Sequence, residues 1–152
     1  MKSDVTVSHS AEETEQAGEA LCRALLASGT RHAYVAMYGE MGVGKTAFAR
    51  GFGRALGITS VKSPTYTVVP EHRGEPLPLF HFDFYRLTDE DDLYTVGYDD
   101  YLRREGYILT EWSERMPAVI PPDAVTVRLE RTEAENVRKI TIGGETLEHT
   151  GS

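Results

Sequence analysis

Apolar positions recur at helical spacing in two stretches of this chain and fall in short, strand-length runs elsewhere. Val5-Thr6-Val7 reads as a short opening strand. Ser10, with Glu13 three residues on, has the form of a capping box and predicts a helix start. Ala17, Ala20, Leu21, Ala24 and Leu25 then share one face, and the pattern stops near Ser28 and Gly29. Residues 32–38 are mostly apolar and of strand length, which predicts a buried strand. A second helical pattern over residues 45–56 aligns Phe48, Phe52, Ala55 and Leu56, with Gly57 placed to cap its end. Gly51 and Gly53 inside that helix each cost about 1 kcal/mol relative to alanine, so close packing against a neighbour is expected there.

Further along, residues 65–69 and 77–84 have strand character, and His72-Arg73-Gly74-Glu75-Pro76 between them reads as a hairpin connection. Residues 88–96 and 99–105 predict two short helices, the first capped by Thr88. Residues 107–110 predict a short apolar strand and residues 117–122 a loop. Residues 124–129 and 137–142 alternate well enough to close the fold as an antiparallel pair, and the tail 145–152 is expected to fray. No repeat, low-complexity stretch or linker interrupts the order, so residues 1–152 are read as one α/β domain.

Composition narrows the function. No apolar run approaches the roughly 18–20 residues that cross a bilayer, and Met-Lys-Ser-Asp at the N-terminus lacks a secretory layout. A cytoplasmic protein, monomeric in isolation and without membrane contact, is expected. Cys22 is the single cysteine, which excludes an internal disulfide and places a thiol in the apolar stripe of the first helix. The net charge of −8 argues against tight direct binding of nucleic acid, which needs a basic face. Tract 89–92 (Asp-Glu-Asp-Asp) suits the start of a solvated helix. The five histidines show no metal-ligand spacing and are given no chemistry.

Gly39-Glu40-Met41-Gly42-Val43-Gly44-Lys45-Thr46 satisfies G-x-x-x-x-G-K-[ST] in full, between a predicted buried strand and an amphipathic helix. Such a loop aims backbone N–H groups into a concave nest for phosphate oxygens, and the helix N-terminus adds to the attraction. Lys45 is expected to reach the β- and γ-phosphates and the Thr46 hydroxyl to ligate magnesium. No guanine-reading NKxD motif is present, so ATP is the expected nucleotide.

Three further segments supply chemistry that the loop lacks. Glu111 follows the strand 107–110, where an acid can hold magnesium as a Walker B residue does or stand as a solvated strand-end residue. Asp83 stands among aromatics in Leu79-Phe80-His81-Phe82-Asp83-Phe84-Tyr85-Arg86, with a catalytic role, a salt bridge to Arg86 or a helix cap as its alternatives. Ser63-Pro64-Thr65-Tyr66-Thr67 has the hydroxyl content of a loop that closes over a γ-phosphate, with Thr65 as its candidate sensor, or of an ordinary turn. Trp112, Tyr66 and Tyr85 adjoin these segments and are read as lining or core.

Taken together, GEMGVGKT (39–46), VKSPTYT (61–67), HFDFYR (81–86) and TEW (110–112) resemble the bacterial TsaE family, in order and over most of the chain. The resemblance implies a three-layer, P-loop NTPase-like α/β domain whose mostly parallel sheet is extended by antiparallel strands. It implies ATP and Mg²⁺ as cofactors, with Thr46 and Glu111 on the metal and Thr65 and Asp83 in the active site. Tyr85, Arg86 and Trp112 would lie in or beside that site, and residues 10–14 near the adenine. It further implies a role in tRNA threonylcarbamoyladenosine synthesis on a TsaB–TsaD heterodimer, with tRNA met only through those partners. Ser113-Glu114-Arg115 departs from the family's more usual proline after the tryptophan. Two other readings of the residues are a nucleotide-gated adaptor without hydrolysis and a small-metabolite kinase.

Overall fold

The structure is a computed structural model and describes residues 3–40, 42–59, 71–86, 89–95 and 97–144. In chain order it contains β1 (Ser3–Ser8), α1 (Ala11–Ala27), β2 (His32–Tyr38), α2 (Lys45–Arg54), β3 (Glu71–His72), β4 (Leu79–Asp83), α3 (Glu90–Thr95), α4 (Tyr98–Arg103), β5 (Gly106–Glu111), β6 (Val125–Arg131) and β7 (Arg138–Gly143). The described strands form one sheet in the order β1-β7-β6-β2-β5-β4-β3. Its centre is parallel: β2 pairs in parallel with β5 and β6, and β5 with β4. Antiparallel pairs extend it, β3 on β4 at one edge and β6–β7–β1 at the other. The expected mostly parallel sheet with antiparallel extensions is therefore what the chain forms.

Strand alternation sorts the side chains into two cores. Val35, Met37, Leu109 and Val127 face α1 and α2, packing against Leu25, Phe48 and Phe52. Tyr34, Phe80, Phe82 and Ile108 face the other way, toward Tyr98 and Tyr101 of α4 and Leu93 of α3. The result is three layers. The first core is mainly aliphatic; the second is aromatic and contains a buried polar chain, with the hydroxyls of Tyr34 and Tyr98 2.7 Å apart and Tyr98 donating to the Val119 carbonyl. Cys22 is fully buried, and burial pushes its thiol up to about 12, so it stays protonated and packs as an apolar group.

Helix α1 starts as the pattern predicts. Ser10 lies in extended backbone and its side chain accepts the Glu13 N–H at 3.1 Å. The return half of the box reaches one residue further back: the Glu13 carboxylate takes the N–H of His9, at 2.9 Å, as the chain leaves β1. Helices α1 and α2 touch backbone to backbone. A Cβ on Gly51 would overlap the Glu15 carbonyl, and one on Gly18 the Phe48 carbonyl. This is the close packing expected at Gly51. Helix α2 is regular only to Arg54; Gly57, at φ 75°, then ends it, with Ile58 N–H donating to Gly53 O and Gly57 N–H to Arg54 O.

Elsewhere the boundaries move for identifiable reasons. β6 runs to Arg131 rather than residue 129, because Glu130 and Arg131 pair in register with Lys139 and Arg138 although they carry no apolar signal. β5 includes Glu111 as its last residue instead of stopping before it, since Glu111 pairs with Asp83 in the parallel ladder. Part of the predicted hairpin connection is strand, His72 being paired with Leu79. Residues 117–119 of the predicted loop form a 3₁₀ turn, as do residues 84–86 and 113–115. The predicted strand 65–69, the Thr88 cap and the tail 145–152 lie outside the described residues. No helix of the described residues is long and apolar enough to cross a membrane.

Candidate active site

The C-terminal ends of β2, β4 and β5 meet where the chain leaves the sheet toward opposite layers, the position at which open α/β sheets hold ligands. From β2 the chain turns through Gly39 and Glu40, with Val43 N–H closing on Glu40 O at 3.2 Å, and enters α2 at Gly44. Gly42 and Gly44 have φ of 76° and 116°, backbone that side chains other than glycine's rarely adopt. Among the described residues helix α2 begins with no side-chain cap, and it has no acid in its first turn, whereas Ser10 caps α1 and two glutamates open it. The first N–H groups of a helix lack intrahelical partners. Left without a cap, this N-terminus suits an anion in the cap's place.

Lys45 is buried and its Nζ donates to Gly39 O at 2.7 Å. The same Nζ lies 3.4 Å from the centre of the Trp112 ring, over its face. Burial lowers the Lys45 pKa below the ordinary 10.5, and the charges of Glu114, Glu111 and Asp83 pull it back up. Trp112 adopts left-handed backbone, φ 60° and ψ 41°, a conformation that stores roughly 1–3 kcal/mol in a non-glycine residue. The exposed Tyr85 ring lies 5.1 Å from the tryptophan ring, and Arg115 lies over Tyr85.

Two acids occupy the strand ends. Glu111 is buried, and its Oε2 lies 2.6 Å from Nε2 of the equally buried His81. An ionised carboxylate only accepts, so His81 donates Nε2–H there. Asp83 is Glu111's neighbour across the β4–β5 ladder and is half-buried. Its Oδ1 accepts the Tyr85 N–H at 3.0 Å, which gives it the capping bond that was one of its sequence alternatives. Thr46 is exposed at the start of α2. Thr46, Glu111 and Asp83 together offer hard oxygen donors. Among the described residues no cluster of three or more His, Cys, Asp or Glu side chains could hold a metal by itself. That donor set fits magnesium, which keeps waters and takes phosphate oxygens with one or two protein ligands.

The structure thus brings Lys45, Asp83, Glu111 and Trp112 to one place, beside Gly39, Glu40, Gly42, Val43, Gly44 and Thr46. Met41 and Thr65 lie outside the described residues. Sequence reasoning missed four participants. His81 was given no chemistry, though it stands two residues before Asp83 and so on the same strand face. Glu114 accepts the Gly39 N–H at 3.2 Å. Asn136 and Arg138, with Ser10, Thr14 and Gly44, line a cavity of about 440 Å³ on the α2 side of the loop. That cavity lies at residues 10–14, where the resemblance puts the base.

The family model for threonylcarbamoyl adenosine biosynthesis protein TsaE matches residues 8–140. The chain is 38% identical over 104 residues to the tRNA threonylcarbamoyladenosine biosynthesis protein TsaE of Bacillus subtilis (strain 168), a match covering 68% of this chain and 64% of that protein. To the protein of the same name from Treponema pallidum (strain Nichols) it is 35% identical over 137 residues, covering 90% of this chain and 97% of that one. Among solved structures, Bacillus subtilis YdiB superimposes with a TM-score of 0.76 at 25% identity, over 99% of this chain and 95% of that one. Spanning the fold, the loop and both acid-bearing strands, these matches show that the chain belongs to the TsaE family.

Proposed function

We propose that this chain binds and hydrolyses ATP with magnesium in support of tRNA threonylcarbamoyladenosine modification, acting on a TsaB–TsaD heterodimer. The observation that carries the reading is the start of α2, where Gly44 offers no side-chain cap, with a buried lysine at its first position and the charges of three carboxylates acting on that lysine. Lys45 and the loop from Gly39 to Thr46 hold the phosphates. Thr46 and Glu111 ligate magnesium, and His81 keeps the Glu111 carboxylate oriented. Asp83 positions the attacking water or supports the metal's shell, and Thr65 senses the γ-phosphate. Trp112 covers Lys45 and excludes water from it.

Electrostatics explains why a divalent cation belongs here. Glu111, Asp83 and Glu114 surround one lysine, so a triphosphate entering the site meets more negative than positive charge. Magnesium, when bound, offsets that repulsion and the charge that develops on the phosphates. With Asp83 only half-buried at its strand end, slow turnover by the chain alone is expected, with partner groups completing the site. The acidic charge of −8 suits a protein that meets tRNA only through its partners.

The test is equilibrium binding of ATP, with and without magnesium, to the wild-type chain and to Lys45→Ala. Binding by the wild type that strengthens with magnesium and is lost in Lys45→Ala supports the reading. A wild-type chain that binds no ATP in either condition overturns it.

A further inference from the structure

Four described residues of the glycine-rich loop, Gly39, Glu40, Gly42 and Val43, lie against the β6–β7 hairpin. Gly39 lies so close to β6 that a Cβ there would stand 2.8 Å from the Leu129 carbonyl oxygen. Glu40 faces Arg131, whose Nε lies 3.6 Å from its Oε2. A Cβ on Gly42 would stand 3.2 Å from Nη2 of the same arginine. Val43 is the point of direct attachment: its carbonyl accepts Nε–H of Arg138 at 3.1 Å. The same guanidinium donates from Nη1 to the carbonyls of Glu135, at 2.7 Å, and Val137, at 3.2 Å. Arg138 therefore joins three carbonyls, two beside it in sequence and one, Val43, 95 residues before it.

From this geometry we infer that Arg138 is a positioning residue for the phosphate-binding loop: it holds the Val43 peptide from outside, so the loop keeps its concave form before an anion arrives. The physical case rests on which groups are paired. Among the described residues no side chain caps the N–H groups at the start of α2, and the loop's inner ties are Val43 N–H to Glu40 O and Lys45 Nζ to Gly39 O. The loop carbonyl on the outer side is fixed by a charged donor, and such hydrogen bonds are stronger than neutral ones. A planar fork that donates in several fixed directions is an arginine property that lysine does not share. The inference rests on the nucleotide-binding reading for its purpose, but not for its geometry.

Two measurements test it. The first is amide hydrogen exchange in the nucleotide-free chain, comparing wild type with Arg138→Gln and Arg138→Lys. Exchange at residues 42–46 is expected to quicken by about tenfold in Arg138→Gln, as loss of a charge-assisted bond implies, and by less in Arg138→Lys. Amides of α1 and β2 should not change. Unchanged exchange at 42–46, or a uniform increase across the chain, would overturn the inference, the latter by making Arg138 an ordinary stabilising side chain. The second compares ADP with inorganic tripolyphosphate as ligands, because Arg138 also lines the cavity beside the loop. An equal loss of affinity for both in Arg138→Gln supports action through the loop. A loss confined to ADP makes Arg138 a direct contact to base or ribose and overturns the proposal. If the wild type binds neither ligand, the ATP reading fails, and exchange at residues 42–46 still decides the role of Arg138.

Discussion

On its β4–β5 side the glycine-rich loop before α2 faces carboxylates and a buried histidine; on its β6–β7 side it faces arginines. The first side is dry and paired side chain to side chain, His81 on Glu111 and Lys45 under Trp112. The second is wetter, and its arginines address backbone carbonyls and an exposed glutamate. Groups on the dry side are held in fixed positions next to the proposed phosphate site, with three carboxylates acting on one lysine. Such groups can act on a reaction, and altering one disturbs both chemistry and stability. Groups on the hairpin side bond the loop's own backbone and its exposed glutamate, so altering them should act first on the loop's shape.

The largest effect is expected at Lys45. Lys45→Ala should lower ATP turnover by on the order of 10²-fold or more, the range for loss of one preorganised charge-stabilising donor. Phosphate release under saturating ATP reads this; near-normal turnover would remove the dry side from the chemistry. Next comes Glu111→Gln, which keeps the side chain's shape and removes its charge. The magnesium concentration for half-maximal ATP binding should rise by roughly 10–100-fold, while ADP binding in a chelator stays unchanged. An unaltered magnesium requirement would take Glu111 off the metal.

His81→Ala leaves the buried Glu111 carboxylate without its donor. Unfolding in urea should show a loss of roughly 1–3 kcal/mol, together with a weaker magnesium response. A stability loss without that response would make the pair purely structural. For pH, the sign follows from the lowered Lys45 pKa. Nucleotide affinity should fall as pH rises through a value below 10.5, earlier than for a free lysine. The unfolded chain holds that proton more tightly, so the lysine opposes folding below its folded pKa, and this penalty fades as pH climbs to 10.5. Affinity and this contribution to stability thus move in opposite directions, which calorimetry alongside thermal unfolding would detect. The smallest effect is expected at Arg131→Ala, within about 0.5 kcal/mol in stability, because the Arg131–Glu40 pair is exposed on both sides. A large loss there would blur the contrast between the two sides.

How much of this was legible in sequence follows from how local each feature is. The Ser10 cap, β2, the loop and Gly57 at the end of α2 are encoded within a few residues, and each forms where the pattern put it. The packing need inferred at Gly51 was also legible, though its partner, the Glu15 carbonyl, was not. Lys45, Asp83, Glu111 and Trp112 were named from motif and position, and the sheet brings them together. The His81–Glu111 bond depends on β4 lying parallel to β5 in one register, which spacing of 30 residues does not reveal. Arg131 and Arg138 look like solvated strand-end charges until β7 folds back on β6 beside the loop. β1 reads as a lone short strand, and only its pairing with β7 gives it a place. Long-range register, which residue types alone do not specify, is the common missing element.

ATP turnover with magnesium, measured for the chain alone and with a purified TsaB–TsaD pair added, tests the central claim most directly. Slow phosphate release by the chain alone, marked stimulation by the pair, and loss of both in Lys45→Ala are expected. ATP that binds but is not turned over in either condition would contradict hydrolysis and leave a nucleotide-gated adaptor in its place.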